Sequence, residues 1–431
     1  MTESSSRLTD ADVRARRAVE AVWRIEAARI VATLTRVVGD FGLAEDLAQE
    51  ALVDALRQWP AEGVPRNPGA WLTAVAKRRA IDGWRRQERL DARYAALARE
   101  LEHDLLADAG PWNPDEIDDD VLRLVFVACH PVLAREAQVA LTLRVVGGLS
   151  SEQIARAFLV PTATVQQRIV RAKKTLAAAK VPFEVPSRQE APARLASVLA
   201  VIYLIFNEGY AASSGEDWMR IELCDEALRL GRVLAALVPR EPETHALVAL
   251  MELTAARFPA RLTPAGEPIL LADQDRRRWD REQIRRGRTA LERADALGQG
   301  RGTYALQAAI AECHALAPST EQTDWERIVV LYEALGRIAP SPVVDLNRAV
   351  AVAMATGPAT ALKIVDELAA SRRLEGYRLL PSVRAELLAR LGRTEQARAE
   401  YARAAELTGN IRERDVLLAK AAALVEGPPT A

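Results

Sequence analysis

From residue 187 to its end the chain keeps to one pattern: apolar residues recur at helical spacing over several turns, and a short Gly, Pro or Ser break closes each run. The spacing predicts helices over 194–208, 217–237, 242–257, 279–297, 302–317, 324–338, 342–355, 358–370, 380–391, 394–407 and 411–425. Helices that can bury their apolar stripes only on one another form layers of helix on helix. The expected fold class is therefore all-α. Composition agrees, because Ala, Leu and Arg dominate while aromatic residues make up only 5%.

The other half of the chain divides into three. Residues 17–93 hold helical patterns over Ala18–Val38 and Phe41–Trp59, a proline-containing loop over Pro60–Pro68, and a helix from near Gly69. Residues 94–120 are rich in Asp and Glu, are broken at Gly110-Pro111 and Asn113-Pro114, and read as an acidic linker. Residues 121–180 form a second compact helical unit, and 187–431 a C-terminal helical domain. Within that domain LLARLGRTEQARAEYARAAELTGN sets Ala397, Ala404 and Ala405 around Tyr401, as tetratricopeptide helix pairs do. Its repetition is loose and the diagnostic Trp-Gly-Tyr pattern is absent.

Three widely spaced cysteines, Cys129, Cys224 and Cys313, suggest reduced thiols and not a disulfide framework. The start lacks an apolar signal core, and the most apolar run, Leu195–Tyr210, reads as a buried helix too short to span a bilayer. A cytoplasmic protein with no membrane partner is expected. Net charge is only -1, so any case for nucleic acid rests on local charge.

One local excess stands out. Arg135–Val146 reads as a helix ended by Gly147-Gly148. Ser150 with Gln153 has the spacing of a capping box, Leu159-Val160-Pro161 forms a turn, and Thr162 is placed to cap a third helix. In that helix Val165, Ile169, Ala172 and Leu176 make one apolar stripe. The rest carries Thr164, Gln166, Gln167, Arg168, Arg171, Lys173, Lys174 and Lys180, with no acidic residue between Ala163 and Lys180. This is a helix-turn-helix layout. Gln and Arg near the start of the reading helix suit paired contacts to base edges, while Arg171, Lys173 and Lys174 suit phosphates.

A second cluster lies between Trp71 and Arg93: Lys77, Arg78, Arg79, Arg85, Arg86, Arg89 and Arg93, opposed by Asp82, Glu88 and Asp91. Trp71 and Trp84 are interleaved with the bases. Their rings suit either unstacked nucleobases or the protein core.

Together FGLAEDLAQEALVDALRQW, PGAWLTAVAKRRAIDGWRRQER and LSSEQIARAFLVPTATVQQRIVRAKKTL resemble a bacterial extracytoplasmic-function sigma factor, with sigma regions two and four over about residues 17–180. The continuation, with VIYLIFNEGY and LLADQDRRRWDREQI, is similar to the group that carries a helical, tetratricopeptide-like extension. The resemblance implies that Asp46, Gln49 and Glu50 meet the core RNA polymerase. It also implies that Trp71, Lys77, Arg78, Arg79, Asp82, Trp84 and Arg85 serve the minus-ten element of promoter DNA. Asp82 reads either as the holder of an arginine or as a surface counter-charge. For the minus-thirty-five element the implied contacts are Thr164, Gln166, Gln167, Arg168, Arg171 and Lys174. Here ATVQQR replaces the more usual Gly-Thr-Val-Lys/Arg-Ser-Arg, so base preference does not carry over. The linker reads either as a solvated tether or as the connector that passes the polymerase cleft.

Elsewhere the sequence offers little chemistry. Its four histidines are isolated, the Cys-His pairs lack zinc spacing, and no phosphate loop or nucleophile elbow occurs. No cofactor, metal or enzymatic activity is expected. NEGY at Asn207–Tyr210 and DQDRRRWD at Asp273–Asp280 suit either a pocket or helix ends with interhelical pairing. The expected function is transcription initiation with core polymerase, the extension contacting the rest of the factor, polymerase or a protein regulator. The alternatives are a non-sigma helix-turn-helix regulator with a sensor domain, and a helical interaction scaffold.

Overall fold

The computed structural model describes residues 10–87, 114–158, 160–187, 189–210, 219–264, 268–269, 271–409 and 411–424, and among them is helical throughout. Arg89, Arg93 and the linker up to residue 113 lie outside the described residues, as do the side chains of Trp84, Arg85 and Arg86. The chain forms two compact units, Met1–Ile202 and Tyr203–Ala431.

The first unit begins with α1 (Asp10–Val38), α2 (Phe41–Glu62) and α3 (Pro68–Gln87), which pack on one another. Gly39 ends α1 with a positive φ of 72°, and Asp40 then caps α2 by accepting from the Leu43 amide at 2.7 Å. Ala44, Leu47, Ala48, Ala51, Ala55 and Trp59 recur at three and four residues along α2 and are buried. The helix does not stop at Trp59 as its prolines suggest. Pro60 lies in its last turn, where it forfeits one bond to the carbonyl of solvent-facing Leu56, and the Gly63 amide closes the end on the Trp59 carbonyl.

Helix α4 (Pro114–Ala128) starts inside the segment expected to be a linker, with its proline at the first helical position. It packs on α1, and the buried Asp120 accepts from Arg36 and Arg123. The next helix, α5 (Arg135–Val145), is buried on nearly every side. Beyond it α6 (Ser151–Phe158) and α7 (Thr162–Ala178) form the expected helix pair. The opening turns of α8 (Ala191–Tyr210) also belong here: Arg194 donates to the Phe126 carbonyl and Ser197 to that of Cys129. By length and hydropathy α8 could cross a membrane. Val198, Leu199, Val201, Ile202, Ile205 and Phe206 instead fill a protein core.

The second unit runs α9 (Ile221–Leu237), α10 (Pro242–Ala255), α11 (Arg281–Ala296), α12 (Thr303–Leu316), α13 (Trp325–Ile338), α14 (Pro342–Ala355), α15 (Pro358–Ala370), α16 (Leu379–Arg390), α17 (Thr394–Leu407) and α18 (Ile411–Ala423). Most pack mainly on their sequence neighbours, with α11 and α12 both packed chiefly on α10, and the core falls into successive clusters, which is how a helical array distributes burial. Tyr401 packs with Ala385, Ala404, Ala405 and Leu417, while Ala397 belongs to the preceding cluster, and the Tyr401 hydroxyl donates to Glu386 at 2.8 Å. All three cysteines are buried and unpaired.

The two ambiguous motifs are structural joints. Glu208 pairs with buried Arg220 at 2.6 Å, and Gly209 touches the start of α9 so closely that a Cβ there would lie 2.7 Å from Cys224 Sγ. Tyr210 lies under the Arg261 guanidinium, 3.6 Å from ring centre. In the second motif Asp280 caps α11 through the Glu282 and Gln283 amides. Arg276, buried, donates from Nη1 to the carbonyls of His314 and Ala317, closing the end of α12. Trp279 is buried beneath Arg257 and Arg276.

His314 gives this unit a pH dependence. Burial, helped by the Arg257 and Arg276 charges, pushes its imidazole down to about 4. Unfolded, it titrates near ~6.5, so between the two values the unfolded chain binds the extra proton. Stability therefore rises with pH across that window and is lost as pH falls below about 6.5. The melting-temperature gap between pH 7 and pH 5 should shrink in His314→Gln; an unchanged gap contradicts the assignment.

Candidate nucleic-acid interface

The reading helix is built from its buried side outward. Val165, Ile169, Ala172 and Leu176 are buried as their spacing predicts, and the three larger ones contribute roughly 2 kcal/mol each by leaving water. Helix α6 is held in front of it by a reciprocal capping box, in which the Ser150 amide donates to Gln153 Oε1 (2.7 Å) and the Gln153 amide to Ser150 Oγ (3.2 Å). The cap of α7 differs from expectation. Pro161 occupies that position with extended backbone and Thr162 is the first helical residue, its hydroxyl making no capping bond. Proline already fixes φ near the required value, and the Thr164 amide closes on its carbonyl.

With the stripe fixed, Thr164, the adjacent Gln167 and Arg168, then Arg171 and Lys174 lie three or four residues from one turn to the next along one outer ridge, with Gln166 on its flank. Gln166, Gln167, Arg171 and Lys174 are exposed; Thr164 and Arg168 are half-buried. None of the amide and cationic side chains of the ridge and its flank (Gln166, Gln167, Arg168, Arg171, Lys174) has a side-chain partner among the described residues.

Lys173 is the exception on this helix. It points away from the ridge and donates to Glu45 and, at 2.7 Å, to Asp46, both on α2. Burial opposes its charge, but the two carboxylates outweigh that and hold the ammonium above its ordinary value. Its expected phosphate role does not fit this placement. Nothing local marks it out from Lys174, since its partners lie more than a hundred residues away in sequence.

Around α2 and α3 the expected residues separate into paired and unpaired groups. Asp46 is 67% exposed, yet engaged by Lys173. Glu50 accepts from Arg79 at 2.9 Å, and Arg79 also grips Asp54 through Nε and Nη2, each at 2.7 Å. These bonds, led by that to Asp54, raise the guanidinium above its ordinary value. Asp54, four residues after Glu50 on the same face of α2, was the missed partner; the i, i+4 acidic pair opposite an arginine helix was its signal. Gln49 is half-buried with Nε2 unpartnered among the described residues. Trp71 is half-buried against buried Trp59, their rings edge to face with centroids 5.5 Å apart. Lys77 is half-buried, and Arg78 and Asp82 are exposed. Thus α3 presents Lys77 and Arg78 while Arg79 braces it to α2.

Comparison with known families places names on these elements. The model of sigma-70 region 2 matches residues 23–90, that of sigma-70 region 4 matches 123–176, and a family of unknown function, DUF6596, matches 194–295. An uncharacterized protein of Rhizobium meliloti is 46% identical over 88% of this chain and 89% of its own length. The probable ECF RNA polymerase sigma factor SigI of Mycobacterium tuberculosis is 30% identical over 40% of this chain, which spans 58% of that protein. The ECF RNA polymerase sigma factor SigK of Mycobacterium ulcerans is 27% identical over 33% of this chain and 74% of its own length. Both sigma modules thus match in order, and the chain belongs to the extracytoplasmic-function sigma factors of the sigma-70 family, which serve transcription initiation, with a helical C-terminal extension.

Proposed function

We propose that this sigma factor engages promoter DNA at two places while docked on core RNA polymerase. The ridge of α7 reads the minus-thirty-five element: Thr164, Gln166, Gln167 and Arg168 face base edges, and Arg171 and Lys174 face phosphates. Trp71, Lys77, Arg78, Arg79, Asp82, Trp84 and Arg85 serve the minus-ten element, Arg79 through its bracing of α3. Asp46, Gln49 and Glu50 of α2 meet the polymerase. The factor works in the cytoplasm and performs no bond-making chemistry itself. The extension, a succession of packed helices, receives a protein regulator.

The observation that carries this reading is the row of amide and cationic side chains along α7 without internal partners, backed by a fully used apolar stripe. Arg168→Ala is expected to weaken binding to a minus-thirty-five duplex by about 2 kcal/mol, roughly thirtyfold, whereas Gln167→Ala mainly alters base preference. Titrations against matched and altered duplexes separate the two. Unchanged affinity and preference in both variants would refute the assigned ridge.

A further inference from the structure

The two sigma modules meet at a seam inside the first unit, and the seam has two unlike halves. One is apolar, where α4 packs on α1 with Val121, Val125 and Ile30 among the buried residues of the two helices, beside the Arg36–Asp120 pair. The other is a charge cluster between α2 and the reading module. Its centre is Glu45, which is only 4% exposed. Its two carboxylate oxygens are taken separately: Oε1 accepts from Arg144 Nε of α5 at 3.2 Å, and Oε2 accepts from Lys173 of α7. Lys173 also reaches Asp46, and Arg144 is tied to the turn before α6 by a bond to the Leu149 carbonyl at 3.2 Å. Beside this cluster packing is incomplete. A cavity of about 400 Å³ opens there, lined on one side by Asp40, Phe41 and Gly42 and on the other by Lys173, Leu176 and Lys180.

We infer that Glu45 is an electrostatic latch that holds the reading module closed against α2, and that promoter engagement requires its release. A carboxylate so deeply buried is tolerable only with its cations in place, so both modules lose by separating. The closed arrangement also withholds two groups at once: Lys173 cannot reach a phosphate, and Asp46 is not free for another partner. That consequence rests on the reading of α7 as a DNA element and of Asp46 as a docking residue; the latch itself does not. Because the apolar half of the seam is indifferent to charge and a cavity adjoins the Lys173 side of the other half, a single carboxylate sets the balance between closed and open forms. The pairs are mostly shielded from solvent, so salt opens the latch only gradually.

The native cysteines are all buried, so a pair of surface cysteines at Arg57 of α2 and Ala178 of α7 can be labelled selectively in the full-length chain. Pulsed electron-spin distance measurements on that pair should give one short population for the parent protein. Glu45→Gln, which keeps shape and removes charge, should raise the fraction at longer distances at least tenfold, and Lys173→Met should do so independently. If either variant is folded by circular dichroism and the distances stay as in the parent, the latch is overturned; Lys173→Met decides should Glu45→Gln fail to fold. In the same samples Glu45→Gln should bind a minus-thirty-five duplex, without polymerase, about tenfold more tightly. Longer distances with no gain in duplex affinity leave Glu45 as the fastener of the seam but overturn its control of DNA access. The failure of the ridge itself is reported separately by Arg168→Ala.

Discussion

Arg79→Ala should lower the stability of the first unit by about 2 kcal/mol, while Arg78→Ala, one residue earlier on the same helix, should leave it unchanged. Exposed ion pairs contribute little, but Arg79 makes a two-bond fork to Asp54, whose side chain is only 14% exposed, and a third bond to Glu50. Removing the guanidinium strands Asp54 in a half-closed crevice beside Glu50, two like charges one helical turn apart. Arg78 is exposed and has no side-chain partner among the described residues, so its deletion costs the fold nothing. In strand-opening assays with polymerase the order should differ. Arg78→Ala should reduce opening with an unchanged melting curve, and Arg79→Ala should reduce it only as far as the melting curve shifts. Equal melting curves for the two variants would remove the bracing role of Arg79.

A larger loss is expected in the second unit from the smallest possible change. Gly209→Ala places a methyl group 2.7 Å from Cys224 Sγ and 2.8 Å from both the Arg220 carbonyl and the Cys224 amide nitrogen. Two of these three are backbone atoms at the start of α9, where the Arg220 amide also bonds the Gly209 carbonyl at 2.7 Å. Neither chain can yield without parting α8 from α9 and uncovering the Glu208–Arg220 pair. The cost should exceed about 3 kcal/mol, in the range of severe overpacking, and lower the melting temperature of that unit by roughly 10 °C. Cys224→Ala on the Gly209→Ala background removes one of the three clashes and should recover only part of it. A variant that melts with the parent would mean that the crossing is looser than described.

Local rules explain where the sequence was sufficient. The apolar stripe of α7, the capping box at Ser150 and Gln153, and the helices of the C-terminal array all depend on residues within a few positions of one another. Helices over 342–355, 358–370 and 394–407 fall where their spacing predicts. Pro60 and Thr162 misled because each was weighed by propensity alone. A proline in a last turn loses little, and a proline before a helix leaves no need of a hydroxyl cap. What escaped is long-range. Arg79 looked like one more base in a basic run until α2 supplied its partners, and Lys173 was indistinguishable from Lys174 until α2 claimed it. The motifs NEGY and DQDRRRWD showed an unusual density of polar and special residues, yet only the fold reveals that Gly209 is there for contact and Arg276 for orphan carbonyls.

The central claim, promoter-specific initiation with core polymerase, is tested most directly by transcription in vitro from linear templates carrying a library of randomised upstream sequence. Bacterial core polymerase with the full-length protein should yield transcripts that neither makes alone. Their templates should share two sequence blocks upstream of the start, and permanganate should detect melted bases at the nearer one. Duplex binding that is indifferent to core polymerase, with no transcripts from any template, would contradict the account.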